Sequence, residues 1–368
     1  MESVPPRMKN WMVLAFSLGF SLLFCEIYLR WNPPEWLPSQ IMVSVQQTHS
    51  EPTSNPILGY LPKANLVKPF KGREFNTLVK INSHHMRDKE YPYSKPPGVK
   101  RIVAVGDSYV FGWGVEAKET VTELLEEKYL RNVEVLNMGV SGYEAGQELE
   151  LLRTEGIRFA PDLVLFFSYG LPAVSSDEYQ FDGDRLYWGS VRRDLLSERI
   201  HSFVYRHVYL WAFLEMSLGR LRQQVSILLK GPEKFEKTVS PSFNEKERID
   251  RELGILFPRL KKLAQERKFV PIVVFFADKW DLDPNLLSPF EKKTIQILAE
   301  RCHQEGWGFL DLTLPLQESK IFQGKDPYFK YDAHWNVHGH RAAAHAIAKY
   351  LREAGFLDPP YFKSSEIS

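Results

Sequence analysis

Residues 101–115 read R-I-V-A-V-G-D-S-Y-V-F-G-W-G-V. A continuous apolar run of this length, bounded by turn residues, predicts a strand buried on both faces, as in a parallel sheet. It stops on Gly106, Asp107 and Ser108, with more glycine at 112 and 114. Gly, Asp and Ser are ordinary turn formers, so the triplet alone reads as a turn. The same residues also suit a nucleophile. A serine hydroxyl beyond a sheet edge, with its N–H at a helix start, is placed to attack a carbonyl. The rest of the chain decides between the two.

Downstream of Lys100 the hydrophobic period alternates between strand and helix. V-E-V-L-N (133–137), D-L-V-L-F-F (162–167), V-P-I-V-V-F-F (270–276) and W-G-F-L-D-L (307–312) read as further strands. Between them E-T-V-T-E-L-L-E-E-K-Y-L (119–130) puts Val121, Leu124, Leu125 and Leu130 on one helical face. Helices also follow at 145–156, ended by Gly156, and at 247–267, 290–302 and 339–352. Short apolar strands alternating with amphipathic helices predict a largely parallel sheet covered on both faces. Ligands of such a sheet lie beyond the C-terminal ends of its strands.

The alternation is interrupted at about 175–244. Within it H-S-F-V-Y-R-H-V-Y-L-W-A-F-L-E-M-S-L-G-R-L (201–221) is aromatic and apolar over much of its length. This reads as a helical insertion, suited to capping a site, lying on a membrane interface, meeting a partner or packing on the core. Upstream, 36–98 is rich in Pro, Ser and Asn and reads as a tether. It becomes ordered as a strand pair near E-F-N-T-L-V-K-I-N-S (74–83). The domain plan is therefore an N-terminal segment over 1–35, this tether, a main domain over 99–357 and a tail over 358–368.

The N-terminal segment places Arg7 and Lys9 before an apolar stretch from Trp11 to Leu29, close to the ~20 residues that cross a bilayer. Glu26 falls near one end of it, and Trp31 and Trp36 suit an interfacial belt. No small-residue cleavage site follows, and Phe24 before Cys25 is too large for a lipoprotein signal. An uncleaved transmembrane signal anchor with an extracytoplasmic main domain is the expectation. A cleaved signal peptide and a buried helix are the alternatives. The 368 residues suffice for a large core, and 44% hydrophobic with 25% charged residues is ordinary globular composition. A formal net charge of +1 gives no global field for nucleic acid. Cys25 and Cys302 are the only cysteines, and their contexts do not suggest an intrachain disulfide.

Three predicted strand ends carry residues that chemistry can use. The first is Gly106-Asp107-Ser108. The second is N-M-G-V-S-G-Y (137–143), where paired glycines permit close approach and the Gly142 N–H can face a developing oxyanion. Read alone, it is a strand-to-helix turn capped by Ser141. The third is Y-D-A-H-W-N-V-H-G-H (331–340) before the last helix, where an extended segment would project Asp332 and His334 to one side. An acid holding an imidazole whose other nitrogen takes a serine proton is the logic of a catalytic triad. His334, His338 and His340 also allow a metal reading, but no H-E-x-x-H or cysteine set supports it. No metal and no cofactor are expected.

This order of Ser, Gly and His resembles the SGNH, or GDSL, hydrolase family over about residues 100–356. It is similar in particular to membrane-anchored bacterial members, in I-N-S-x-x-x-R (81–87) and in D-x-H-W-N-x-x-G-H (332–340). The resemblance implies a flavodoxin-like three-layer α/β/α sandwich and ester chemistry without a metal. It assigns the nucleophile to Ser108, the base to His334 and the orienting acid to Asp332. It assigns oxyanion donors to the Ser108 and Gly142 N–H groups. Two departures stand out. After the third strand the family carries an Asn as a further donor, whereas this chain has S-Y-G-L-P-A-V-S-S, with Pro172 or a neighbour at that place. Proline has no N–H and no side-chain donor. Ser168, Tyr169 and Ser175 are the candidate substitutes. The acid–base spacing is D-x-H rather than D-x-x-H, as in alginate O-acetyltransferase-like relatives.

The leading expectation is thus a membrane-anchored extracytoplasmic serine esterase acting on O-acyl, chiefly O-acetyl, esters of carbohydrate or envelope glycan. One alternative is an O-acyltransferase for an exported polysaccharide, fed by a membrane acyl-donor partner. Another is a catalytically weak glycan-binding or assembly protein. Trp113 is expected either to wall a pocket or to sit at the core edge, His84 and His85 to form a surface turn, and Asp107 to bond backbone in its own turn.

Overall fold

The computed structural model describes residues 6–31, 49–170 except 56, short pieces between 179 and 218, 245–276 and most of 279–358. It divides the chain into two compact units, one of residues 1–43 with 190–243 and one of 44–189 with 244–368.

The larger unit holds the sheet. Its strands are β5 (Lys100–Gly106), β6 (Val133–Gly139), β7 (Leu163–Tyr169), β10 (Val270–Phe276) and β11 (Gly308–Asp311). All neighbours are parallel, in the spatial order β11-β10-β7-β5-β6. Counted in chain order this is 2-1-3-4-5, the flavodoxin-like arrangement, with its switch point beside the first strand. The first strand is β5, whose end carries Ser108.

Side chains of each strand alternate between two cores, as the period of a strand requires. Val103, Val105, Phe166, Val273 and Phe275 pack on one face with Leu149 and Leu152 of α4 (Ala145–Thr154), Leu256 of α5 (Glu245–Arg267) and Leu298 of α6 (Pro289–Glu305). Ile102, Ala104, Leu165, Val274 and Phe276 face the other side. They meet Leu316 of α7 (Thr313–Gln323) and Ala344, Ile347 and Leu351 of α8 (Val337–Glu353). Helices on both faces complete three layers.

Several local expectations change. The stretch predicted as one helix over 119–130 is a 3₁₀ turn (Ala117–Glu119), a short helix α3 (Val121–Leu124) and a π-helical turn (Leu125–Tyr129). Helix α7 was not anticipated, since its apolar pattern is broken by Pro315, which is tolerated in a first turn. The interruption opens on an antiparallel hairpin, β8 (Tyr179–Asp182) with β9 (Arg185–Trp188), while the few described residues between 210 and 218 are helical as expected. Most of the remaining insertion lies outside the described residues. In the smaller unit a single helix, α1 (Pro6–Trp31), covers the expected anchor. Described side chains from Val13 to Phe24 are exposed along it, while those of residues 6–12 and Ala15 lie outside the description. Among the described residues no helix is long and apolar enough to cross a membrane.

The segment read as a tether is part of the larger unit from residue 44 onward. It forms two antiparallel pairs, β1 (Ser50–Pro52) with β2 (Tyr60–Pro62) and β3 (Val67–Lys71) with β4 (Asn76–Lys80). The I-N-S-x-x-x-R motif then has a physical meaning. The Asn82 side chain accepts from His84 N and Met86 N, both at 2.9 Å, and shapes the turn in which His85 has φ +62°. That turn delivers Arg87 into the core, where it donates to Phe111 O at 3.1 Å, Val115 O at 2.6 Å and Gly112 O. Burial lowers the Arg87 pKa to about 10 against the opposing pull of Glu116 and Glu119, so it remains charged at neutral pH. The buried cation holds the loop that follows Ser108.

Candidate active site

Asp107 caps the short helix α2 (Ser108–Phe111), its carboxylate accepting from Tyr109 N at 2.9 Å. Burial raises the pKa of that carboxyl, opposed by the Tyr109 bond and by nearby His334. Asp107 therefore serves its own turn. Gly112 ends α2 at φ +85°, the left-handed conformation that glycine adopts without strain. At the end of β6, a Cβ on Gly139 would lie 2.1 Å from Phe111 N, so only glycine lets β6 approach α2 so closely. The same motif's Asn137 donates to Val110 O at 2.9 Å and ties β6 to α2.

The residues singled out in D-A-H come together with Ser108. Ser108 Oγ lies 2.6 Å from His334 Nε2, and His334 Nδ1 lies 2.5 Å from Asp332 Oδ1. The acid and base pair within a bend rather than an extended segment. Asp332 Oδ1 also accepts from His334 N at 2.9 Å, which closes an Asx turn and explains how a two-residue spacing suffices. Asp332 is raised by burial, but bonds from His334 and Trp113 outweigh that and hold its carboxyl below the ordinary value.

Two aromatic residues complete the pair's surroundings: Trp113, expected to wall a pocket or to sit at the core edge, and Tyr109, for which no role was expected. Trp113 is 1% exposed, stacks on the His334 ring at 5.1 Å and donates Nε1–H to Asp332 Oδ2 at 3.2 Å. Tyr109 donates its hydroxyl to Ala333 O at 2.9 Å. Only the glycines around Trp113 hinted that its backbone had to turn sharply toward the site.

The remaining residues of D-x-H-W-N-x-x-G-H hold this loop in place. Asn336 caps α8, accepting from His338 N at 2.8 Å, and donates to Asp326 O and Tyr328 O, both at 2.7 Å. Gly339 leaves room for Pro327 O, 2.2 Å from where a Cβ would stand. His340 accepts at Nδ1 from Val121 N at 3.2 Å, and burial, with Arg87 and His334 nearby, pushes its pKa down to about 3. It is a neutral, buried histidine whose Nδ1 is already taken by the Val121 N–H. His84 packs against Tyr93 and Phe159, and His85 Nδ1 bonds Pro62 O at 2.8 Å, so both serve their turn.

Gly142 has φ +81° and follows Ser141, whose carbonyl accepts the Tyr60 hydroxyl at 2.7 Å. Among the described residues neither the Ser108 nor the Gly142 N–H has a protein acceptor. For Ser108 this follows from its place at the first position of a helix. At the end of β7 the Ser168 hydroxyl donates to Gly170 O at 2.9 Å, and Tyr169 stacks on Tyr109. Pro172 and Ser175 lie outside the described residues. One further acid lies close by. Glu148 on α4 is 4% exposed, and burial, then Asp107 and Glu144, raise its pKa well above the ordinary value.

Residues 273–364 match the family described as the SGNH hydrolase-like domain of the acetyltransferase AlgX. Among solved structures, the fold is similar to the psychrotrophic esterase EstA from Pseudoalteromonas sp., at 13% identity and TM-score 0.39 over 70% of this chain and 100% of that one. It is also similar to a lipase/acylhydrolase from Enterococcus faecalis, at 15% and 0.37 over 73% and 100%. A member of the lipolytic G-D-S-L family from Veillonella parvula stands at 12% and 0.37 over 68% and 96%. At those scores the structural likeness carries no weight, and the family match covers the C-terminal quarter of the chain. No curated protein matches the chain by sequence. The matched segment points to the class of SGNH-type ester hydrolases and related acyltransferases. The matched segment, which includes Asp332 and His334, is similar to the AlgX form of the domain.

Proposed function

We propose that this protein is an extracytoplasmic serine esterase of SGNH type acting on O-acyl esters of carbohydrate or envelope glycan. One observation carries the reading. Ser108 Oγ is 2.6 Å from an imidazole nitrogen whose ring partner is held by a carboxylate at 2.5 Å. In that arrangement Ser108 Oγ attacks the ester carbonyl while His334 Nε2 takes its proton. Asp332 holds the Nδ1–H tautomer and stabilises the imidazolium. The oxyanion meets the Ser108 and Gly142 N–H groups, and the departing alcohol takes the proton from His334. Water then enters by the reverse path and releases the acyl group.

A second reading uses the same acyl-enzyme but ends with a sugar hydroxyl in place of water. The match to the AlgX acetyltransferase domain over 273–364 and the two-residue Asp–His spacing favour it. A membrane partner would then supply the acyl group. For the membrane anchor itself, the support is the apolar stretch Trp11–Leu29 behind Arg7 and Lys9, within one helix of 26 residues.

Full-length protein is incubated with a fluorophosphonate probe beside Ser108→Ala and His334→Ala. Labelling of the wild type alone is expected, and its absence would reject both enzymatic readings in favour of a glycan-binding role. Release of acetate from an O-acetylated glycan with no transfer to a second glycan supports hydrolysis, and transfer supports the second reading. Fractionation of cells expressing the chain with and without residues 1–31 tests the anchor, since only the longer form should resist carbonate extraction.

A further inference from the structure

Just upstream of Asp332 the backbone is gripped from two sides. Glu74, in the turn between β3 and β4, accepts from Lys330 N at 2.7 Å through Oε1 and from Tyr331 N at 2.6 Å through Oε2. Lys279, just past β10, donates Nζ–H to Phe329 O at 2.6 Å and to Lys330 O at 2.7 Å. Amides face a carboxylate and carbonyls face an ammonium, so the peptide dipoles of 329–331 lie between opposite charges. Hydrogen bonds with one ionised partner at such lengths are the strong kind.

The base of this loop does not need the grip. An isolated bridge joins Tyr328 to Trp335, and Asn336 ties Asp326 and Tyr328 to the start of α8. What the base leaves open is the tip, residues 329–333, which belongs to no strand or helix. The Asx turn fixes Asp332 relative to His334, but it does not fix the pair relative to Ser108. A second route from the same hairpin reaches the same acid. Phe75, next to Glu74, meets the Trp113 ring at 6.5 Å and the Phe329 ring at 5.4 Å, and Trp113 donates to Asp332.

We infer that Glu74 and Lys279 are positioning residues for the reaction, a charged brace that aims the Asp332–His334 turn at Ser108. The hairpin ahead of the sheet is thereby part of the catalytic apparatus. This rests on the reading of Ser108, His334 and Asp332 as a triad. Glu74→Gln keeps the side chain's size but offers an NH₂ where one backbone N–H needs an acceptor. Lys279→Met keeps the stem and removes the donor.

The test measures two quantities on the full-length protein in detergent. The first is fluorophosphonate labelling, resolved into probe affinity and the rate of bond formation. The second is the downfield proton resonance of His334 Nδ1–H, which reports the Asp332 contact whether or not Ser108 reacts. Misplacing a reacting group by about 1 Å costs up to about 10²-fold in rate. Glu74→Gln and Lys279→Met should each slow bond formation about tenfold at unchanged probe affinity, and shift or broaden the resonance. In an Asp332→Asn background the Glu74→Gln change should cost almost nothing further, because its effect runs through the acid. A merely structural role would instead cost the same in both backgrounds.

Wild-type labelling rate and resonance in both variants would overturn the inference. So would a loss that persists undiminished beside Asp332→Asn. If the wild type shows no Ser108-dependent labelling while Glu74→Gln still moves the resonance, the triad reading fails and the brace on the Asp–His turn stands.

Discussion

Trp113→Phe isolates a single hydrogen bond. A phenyl ring retains aromatic packing against His334 and Phe70 but cannot donate to Asp332 Oδ2, 3.2 Å from the indole nitrogen. Bonds to ionised groups contribute about 1.5–3 kcal/mol, and the length here places this one near the lower figure. If that contribution appears wholly in the transition state, Ser108 labelling slows about tenfold. The acid side of the stability profile gives an independent reading. Asp332 is held below its ordinary 3.8, so its contribution is present above that value and is lost as pH falls through the folded pKa. Removing the indole donor moves the folded pKa upward, so acid unfolding begins at higher pH. Loss of ring volume lowers stability at every pH, which separates packing from the bond. Acid titration followed by circular dichroism, with labelling rates at neutral pH, checks both parts. A variant that labels at the wild-type rate and shows no change in its acid midpoint beyond a uniform stability loss would refute the role given to the indole N–H.

Three further outcomes follow from the geometry. Gly139→Ala brings a methyl against Phe111 N, and overpacking of this kind costs about 1–3 kcal/mol, here at the upper end because backbone must yield; urea titration measures it. His340 is pushed down to about 3, so its contribution to stability is full above its usual 6.5 and is lost as pH falls toward the lower value. His340→Gln should flatten that part of the profile, whose slope from one group is at most about 1.4 kcal/mol per pH unit. Glu148 is raised instead, so its contribution is full below its usual 4.5 and falls as pH rises. Glu148→Gln should therefore gain on the wild type in melting temperature as pH rises from its usual 4.5, and a difference that stays constant from there upward would contradict the raised carboxyl.

The β-branched and apolar strands were legible in the sequence because a strand covered on both faces has no polar side to confuse the pattern. Their ends were legible too, because Gly106 to Ser108 and Gly139 to Gly142 stand where apolar runs stop, while Asp332 to His334 stood out just before the last helix. What could not be read was the work of the segment before the sheet. Its strands are short and its residues polar, so it resembled a tether. Arg87, Glu74 and Trp113 act on backbone or carboxylate groups far away in the chain, and nothing local marks such a target. The expected extended D-A-H segment became an Asx turn for a related reason, since a carboxylate two residues from an amide has a nearer partner than the next strand.

By itself the sequence determined the sheet, its layers and the three residues brought to one edge, because those follow from the period of buried strands and from turn chemistry. Only the tertiary structure decided how the serine, histidine and aspartate line up. Their mutual distances depend on a buried arginine behind the serine loop, a carboxylate and an ammonium across the acid loop, and a tryptophan between them. Such contacts join residues up to 257 positions apart in the chain, a separation over which no local pattern carries information.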